Sequence, residues 1–263
     1  MAHALFWAAG GTGFTFLMTA LGASTVLLFR SQINPRLHRL LLGFAAGVMI
    51  AASMWSLLIP AIEAAESAGV PGWLPAAGGS ALGVLFLEGM NRLLPHLTPS
   101  FLQGPRDDIG RRSALLVLAI AMHNIPEGMA VGISFSLAVQ TDPALFPSAA
   151  ALALGIGIQN FPEGAAISLP LRQAGVGPRT SFFIGAASGA VEPIAALGTV
   201  LIAGAVQPLM PWLLSFAAGA MLYVVVEELI PEANLHRGCE ANVGTFGVMT
   251  GFLIMMVLDV ALG

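Results

Sequence analysis

The chain has no lysine; all ten of its basic residues are arginine. It has one cysteine and one tyrosine in 263 residues, and only 9% of its residues are charged. A soluble domain averages about 25% charged residues, so an ordinary soluble fold is excluded. The lone Cys239 excludes an internal disulfide and any multi-cysteine metal cluster. No Lys or Arg precedes Arg30, so the start lacks the basic region of a secretory signal peptide. No low-complexity tract or appended domain is visible, and residues 1–263 read as one domain. The net charge of -4 is too unevenly placed to be informative, and no nucleic-acid partner is expected.

What fills the chain is apolar: 57% hydrophobic residues and a mean hydropathy of +0.86. Eight apolar stretches can be marked, at about 5–29, 40–61, 73–95, 113–139, 145–170, 180–205, 209–231 and 242–262. Each is near the ~20 residues that a bilayer span requires. Their runs are continuous rather than alternating, which points to helices and away from a β-barrel. The expected fold is therefore all-α and integral to the membrane, with eight transmembrane helices. Pairs at small-xxx-small spacing invite close helix contacts: Gly43 and Gly47, Gly79 and Gly83, Gly185 and Gly189, Gly247 and Gly251.

The arginines orient these spans. With eight spans, every one of them falls in or beside the first, third, fifth or seventh connection. The positive-inside rule makes that side cytoplasmic and sets both termini outside. The chain also repeats itself. Phe44-Ala45-Ala46-Gly47-Val48-Met49 in span two resembles Phe216-Ala217-Ala218-Gly219-Ala220-Met221 in span seven, and Leu-Ile-Pro endings follow at Pro60 and Pro231. Similar sequence in oppositely directed spans is the mark of inverted repeats, a transporter architecture with its substrate near the midplane.

Two polar stretches interrupt the apolar sequence. His123-Asn124-Ile125-Pro126-Glu127-Gly128 lies in span four, and Gln159-Asn160-Phe161-Pro162-Glu163-Gly164 lies 36 residues later in span five. On a helix, positions three and four apart share a face. That places His123, Asn124 and Glu127 together, and Gln159, Asn160 and Glu163 together. Span six adds Glu192 beside Pro193. Each carboxylate at membrane depth costs about 2.5–3.5 kcal/mol on the insertion scale, and intramembrane acids are functional by default. One imidazole, several amide oxygens and three carboxylates suit zinc and other first-row divalent metals, at one or two sites between spans four, five and six. Candidate entrance residues are Met49, Ser56 and Glu63, with Ser53 beside them. Candidate exit residues are Glu227, Glu228 and His236, near Glu232. Glu88 and Asp259 have no visible partner.

These motifs resemble the ZIP family, the zinc-regulated, iron-regulated transporter-like proteins, and its bacterial members in particular. The resemblance covers nearly the whole chain. It implies eight spans with both termini outside, and uptake of zinc, with cadmium, iron, manganese and cobalt as further cargoes, through a bacterial inner membrane. It implies no catalytic cofactor. His123, Glu127, Gln159, Glu163 and Glu192 would form the primary metal site, and Asn124, Asn160, Glu127, Glu163 and Glu192 an adjacent one. Where some relatives carry Asp in the span-five motif, this chain has Asn160. The His-rich loop of many relatives shrinks here to His96, Asp107 and Asp108. The expected partners are divalent metal ions, the lipid bilayer and, as one oligomeric form, a second copy in a homodimer. Two rival readings stand beside transport: an intramembrane metalloenzyme and a metal-sensing receptor. The first lacks an H-E-x-x-H pair, so the chain is not expected to be an enzyme.

Overall fold

The computed structural model describes residues 2–28, 34–97, 108–140, 142–173, 175–205, 207–234 and 242–262. Within them, side chains are described except at 35, 94–97, 108–123, 170, 173, 203–205, 207 and 262. The described backbone is helical throughout, apart from turns. Helix α1 is Ala2–Leu28, and α2 (Pro35–Ala52) passes through a π segment (Ser53–Leu58) into α3 (Ile59–Ser67). Then come α4 (Trp73–Leu97), α5 (Asp108–Gln140), α6 (Phe146–Gln173), α7 (Pro178–Gly189) and α8 (Val191–Ala205). Helix α9 (Met210–Val224) passes through a second π segment (Val225–Leu229) into α10 (Ile230–Asn234), and α11 is Val243–Leu262. Six stretches are long and apolar enough to cross a bilayer: 2–28, 36–67, 143–169, 178–202, 210–234 and 243–261. Helices α4 and α5, of 25 and 33 residues, stand beside them.

The helix ends follow from local chemistry. Pro35 opens α2, and the Asn34 side chain accepts from the Arg36 N–H at 2.9 Å. Asp142 caps the short turn before α6 in the same way, accepting from Ala144 at 2.9 Å. Beyond α3 the chain turns through Gly69 at φ 76, a left-handed conformation that glycine adopts without a Cβ clash.

The sequence repeat appears in the backbone. Both π segments begin the same distance after their Phe-Ala-Ala-Gly, and both lie just before a proline, Pro60 or Pro231. The Ile59 N–H bonds back to Met54 and the Ile230 N–H to Val225, the five-residue return of a π turn. A proline supplies no N–H, and its ring crowds the preceding turn, so the helix is wound differently there. Packing repeats as well: α2 lies on α11 while α9 lies on α4, and α1 lies on α6 while α8 lies on α5.

These contacts divide the helices into two groups. Helices α1, α5, α6, α7 and α8 pack mainly on one another, and α2, α3, α4, α9, α10 and α11 do likewise. The groups meet where α2 and α11 touch α6 and where α9 touches α5. Glycines make the seams. A Cβ on Gly43 or Gly47 would strike the α11 backbone, and one on Gly247 or Gly251 the α2 backbone. Gly79 and Gly83 face Trp212, Ser215, Phe216 and Ala220 of α9, and Gly185 and Gly189 face Ala23 and Thr19 of α1. All four expected small-residue pairs are thus used between helices of the same chain. The sixth apolar stretch keeps its place as one run over residues 178–202 but carries a break inside it, where the backbone turns at Ala190 and restarts at Val191 with Pro193 in the new first turn.

Candidate metal site

Helix α5 runs through Pro126 without ending. From it, Asn124 and Glu127 point into the protein, both essentially without solvent exposure. Helix α6 contributes Gln159 and Asn160, buried to the same degree, and the half-buried Glu163. Glu192 enters fully buried from the first turn of α8. The glycine ending each motif sets these distances. A Cβ on Gly128 would collide with the backbone of Glu192, and one on Gly164 with the Thr19 carbonyl and Ala23 N–H of α1. Only hydrogen at these positions lets α5 lie on α8, and α6 on α1, closely enough for short polar side chains to meet.

The side chains meet in a defined pattern. Gln159 Nε2 donates to Glu127 Oε1 at 2.7 Å, tying α6 to α5. Asn160 Nδ2 donates to Glu192 Oε1 at 2.7 Å, tying α6 to α8. Asn124 Nδ2 donates to the Ser188 carbonyl at 2.9 Å, tying α5 to the end of α7. Each acceptor fixes which way its amide faces, since the amide oxygen turned toward a carboxylate or a carbonyl would be repelled. Glu163 is within electrostatic reach of both Glu127 and Glu192.

The amide oxygens are therefore left over. Asn124 Oδ1, Glu127 Oε2, Gln159 Oε1 and Asn160 Oδ1 are all buried and accept no hydrogen bond from the described residues. A buried polar atom without a partner costs roughly 1–3 kcal/mol, and native structures hold few of them. Four acceptors on adjacent helices, with no donor supplied, match the chemistry of a cation. Among the described residues no group of three His, Cys, Asp or Glu side chains is placed to hold a metal. His123 lies on α5 next to Asn124, and its side chain is outside the described residues.

One participant was not foreseen from sequence. Thr15 of α1 donates its hydroxyl to Glu192 Oε2, and its carbonyl accepts from Asn160 Nδ2 at 3.4 Å. Thr12, Thr15 and Thr19 are all buried and line one face of α1. That three- and four-residue spacing of hydroxyls in an apolar helix was the available signal.

The peripheral candidates lie apart from this cluster. Met49 is buried in the apolar core with Val48, Leu152 and Met255. Ser56, in the first π segment, donates to Asp259 Oδ1 of α11 at 2.6 Å, which supplies a partner for Asp259. Ser53 donates to the Met49 carbonyl at 2.7 Å, within its own helix. Glu63 is exposed on α3. Glu227 is exposed and Glu228 half-buried in the second π segment, whereas His236 lies outside the described residues. Glu88 accepts from Tyr223 of α9 at 2.5 Å and from Arg92 at 2.6 Å, closing the seam between α4 and α9.

Comparison with known proteins bears on this geometry. A family profile described as ZIP Zinc transporter matches residues 105–259. Zinc transporter ZIP11 of Homo sapiens is 38% identical, with 98% of each chain covered. Zinc transporter GufA of Myxococcus xanthus is 41% identical over 93% of this chain and 94% of its own. Zinc transporter ZIPB of Bordetella bronchiseptica is 40% identical over 94% of this chain and 79% of its own.

Proposed function

The chain belongs to the ZIP family of zinc transporters, and from that premise we propose that it takes up divalent transition metals, zinc first, through a membrane site built by α5, α6 and α8. The observation that carries this reading is the set of four buried, unpartnered oxygens on Asn124, Glu127, Gln159 and Asn160. With His123 and Glu163 they offer nitrogen and oxygen ligands and no thiolate, a mixture suited to zinc and its neighbours. A site without thiolates also releases its ion more readily, as transport demands. Eight crossings with both termini outside and the arginine-rich connections in the cytoplasm is the topology proposed, in a bacterial inner membrane.

The division of the helices supports a mechanism. Every side chain of the cluster stands on α1, α5, α6 or α8, the group that packs on itself. Alternating access would then move spans four to six together with α1 against the frame of α2–α4 and α9–α11, carrying the site intact. Glu63 and Ser56 at one end of the frame, and Glu227 and Glu228 at the other, are candidate entrance and exit groups.

Metal flux into proteoliposomes tests this proposal. Zinc, cadmium, iron, manganese and magnesium are compared in the parent, His123→Ala and Glu163→Ala. Saturable transition-metal flux, lost in both variants, is the expected result. Saturable binding without flux would favour a receptor, and undiminished flux in both variants would misplace the pathway.

A further inference from the structure

We infer that Thr15 is a positioning residue of the metal site, which competes with the cargo for Glu192 and so keeps the ion releasable. The inference rests on the transport reading above. Both carboxylate oxygens of Glu192 already have donors: Oε2 accepts from the Thr15 hydroxyl and Oε1 from Asn160 Nδ2. Glu127, by contrast, keeps Oε2 without a partner among the described residues. Of these two buried acids, then, Glu127 presents an open oxygen to a cation, whereas Glu192 must break a hydrogen bond to do so.

The placement of Thr15 is built into the packing. Gly164 seats α6 on the backbone of Thr19, Gly22 seats α1 on the carbonyl of Phe161, and Gly189 seats α7 on the Thr19 side chain. The seats hold α1 against both α6 and α7, at the residues that flank the site. The Thr19 hydroxyl donates to the Thr15 carbonyl at 3.2 Å, the same carbonyl that faces Asn160. A hydroxyl needed only to cap its own helix has the Thr12 carbonyl within 3.1 Å, and Thr15 reaches Glu192 as well.

A hydrogen bond to a charged acceptor in low dielectric is stronger than a neutral one, so its loss changes the competition measurably. Thr15→Val keeps the shape and removes the hydroxyl, freeing Oε2 of Glu192 for the metal. Bound zinc is then held more tightly and leaves more slowly. The expected result in proteoliposomes is a fall in KM for zinc of about tenfold with a fall in Vmax. Thr15→Ser, which restores the hydroxyl, returns both to parent values. A merely structural role gives no gain in affinity. Equilibrium zinc binding by the purified protein in detergent separates the two levels of the argument. Thr15→Val binding about tenfold tighter than the parent supports the inference whether or not flux is seen. Equal or weaker binding overturns it, and absent flux in the parent overturns the transport reading instead. If the valine variant does not fold, Thr15→Ala carries the same expectation.

Discussion

The two Pro-Glu-Gly helices are near copies in sequence and are seated alike, yet their side chains take different parts. Gly128 lays α5 on α8 at Glu192, and Gly164 lays α6 on α1 at Thr19. The supporting helix brings a carboxylate in the first case and hydroxyls in the second. The asparagines diverge accordingly. Asn124 holds a backbone carbonyl at Ser188, whereas Asn160 holds the carboxylate of Glu192. One motif thus fastens its helix to a backbone carbonyl, and the other holds a carboxylate in place. An approximate repeat can build an asymmetric site when the helices beneath it differ.

The largest expected effect removes what both motifs share. Glu127→Ala or Glu163→Ala should lower zinc flux by more than about a hundredfold, since loss of an outer-shell partner alone typically costs 10–100-fold. Equal retention of flux in one of them would show that the motifs are not both ligands. Next comes the link between them. Gln159→Leu removes the amide oxygen that Gln159 would offer the ion, a loss that outweighs the freeing of Glu127 Oε1, so zinc affinity should weaken by roughly tenfold or more in equilibrium binding.

The contrast between the asparagines can be sharpened directly. Asn160→Asp places a charge where an amide now donates to Glu192, and should raise bound zinc from one to two per chain in equilibrium dialysis. Asn124→Leu should instead leave the Ser188 carbonyl unpaired and lower stability by about 1–3 kcal/mol, read as a fall in Tm. If the two asparagine variants behaved alike, the division of labour would be wrong. The last effect concerns the cargo. Zinc at a hundred times its Kd should stabilise the parent by about 2.7 kcal/mol, chelation should remove that gain, and Glu163→Ala should show none.

Much of this was legible in the sequence because lipid simplifies it. Apolar runs of bilayer length must be helices, and the helical stretches follow them closely. The paired motifs announced Asn124, Glu127, Gln159, Asn160, Glu163 and Glu192; among these, Gln159 of α6 meets Glu127 of α5, and Asn160 of α6 meets Glu192 of α8. The Phe-Ala-Ala-Gly repeat announced equivalent helices, although nothing in it foretold π turns. The long-range partners were not legible. Thr15 and Glu192 are separated by 177 residues, and Ser56 and Asp259 by 203, with each residue ordinary in its own stretch. A threonine on an apolar helix reads as filler until the opposing glycines are known to bring α6 and α7 against it. The break inside span six was hidden because the turn residue, Ala190, and its neighbour Val191 are both apolar.

The central claim is that a metal ion is held by the nitrogen and oxygen ligands of these two motifs. X-ray absorption at the zinc K-edge, on the purified protein loaded with one equivalent of zinc, tests it most directly. The account predicts a first shell of nitrogen and oxygen only, at about 2.0–2.2 Å, with an imidazole contribution lost in His123→Ala and a first shell altered in Glu127→Ala. A sulfur scatterer at about 2.3 Å, or a spectrum unchanged by both substitutions, would contradict it.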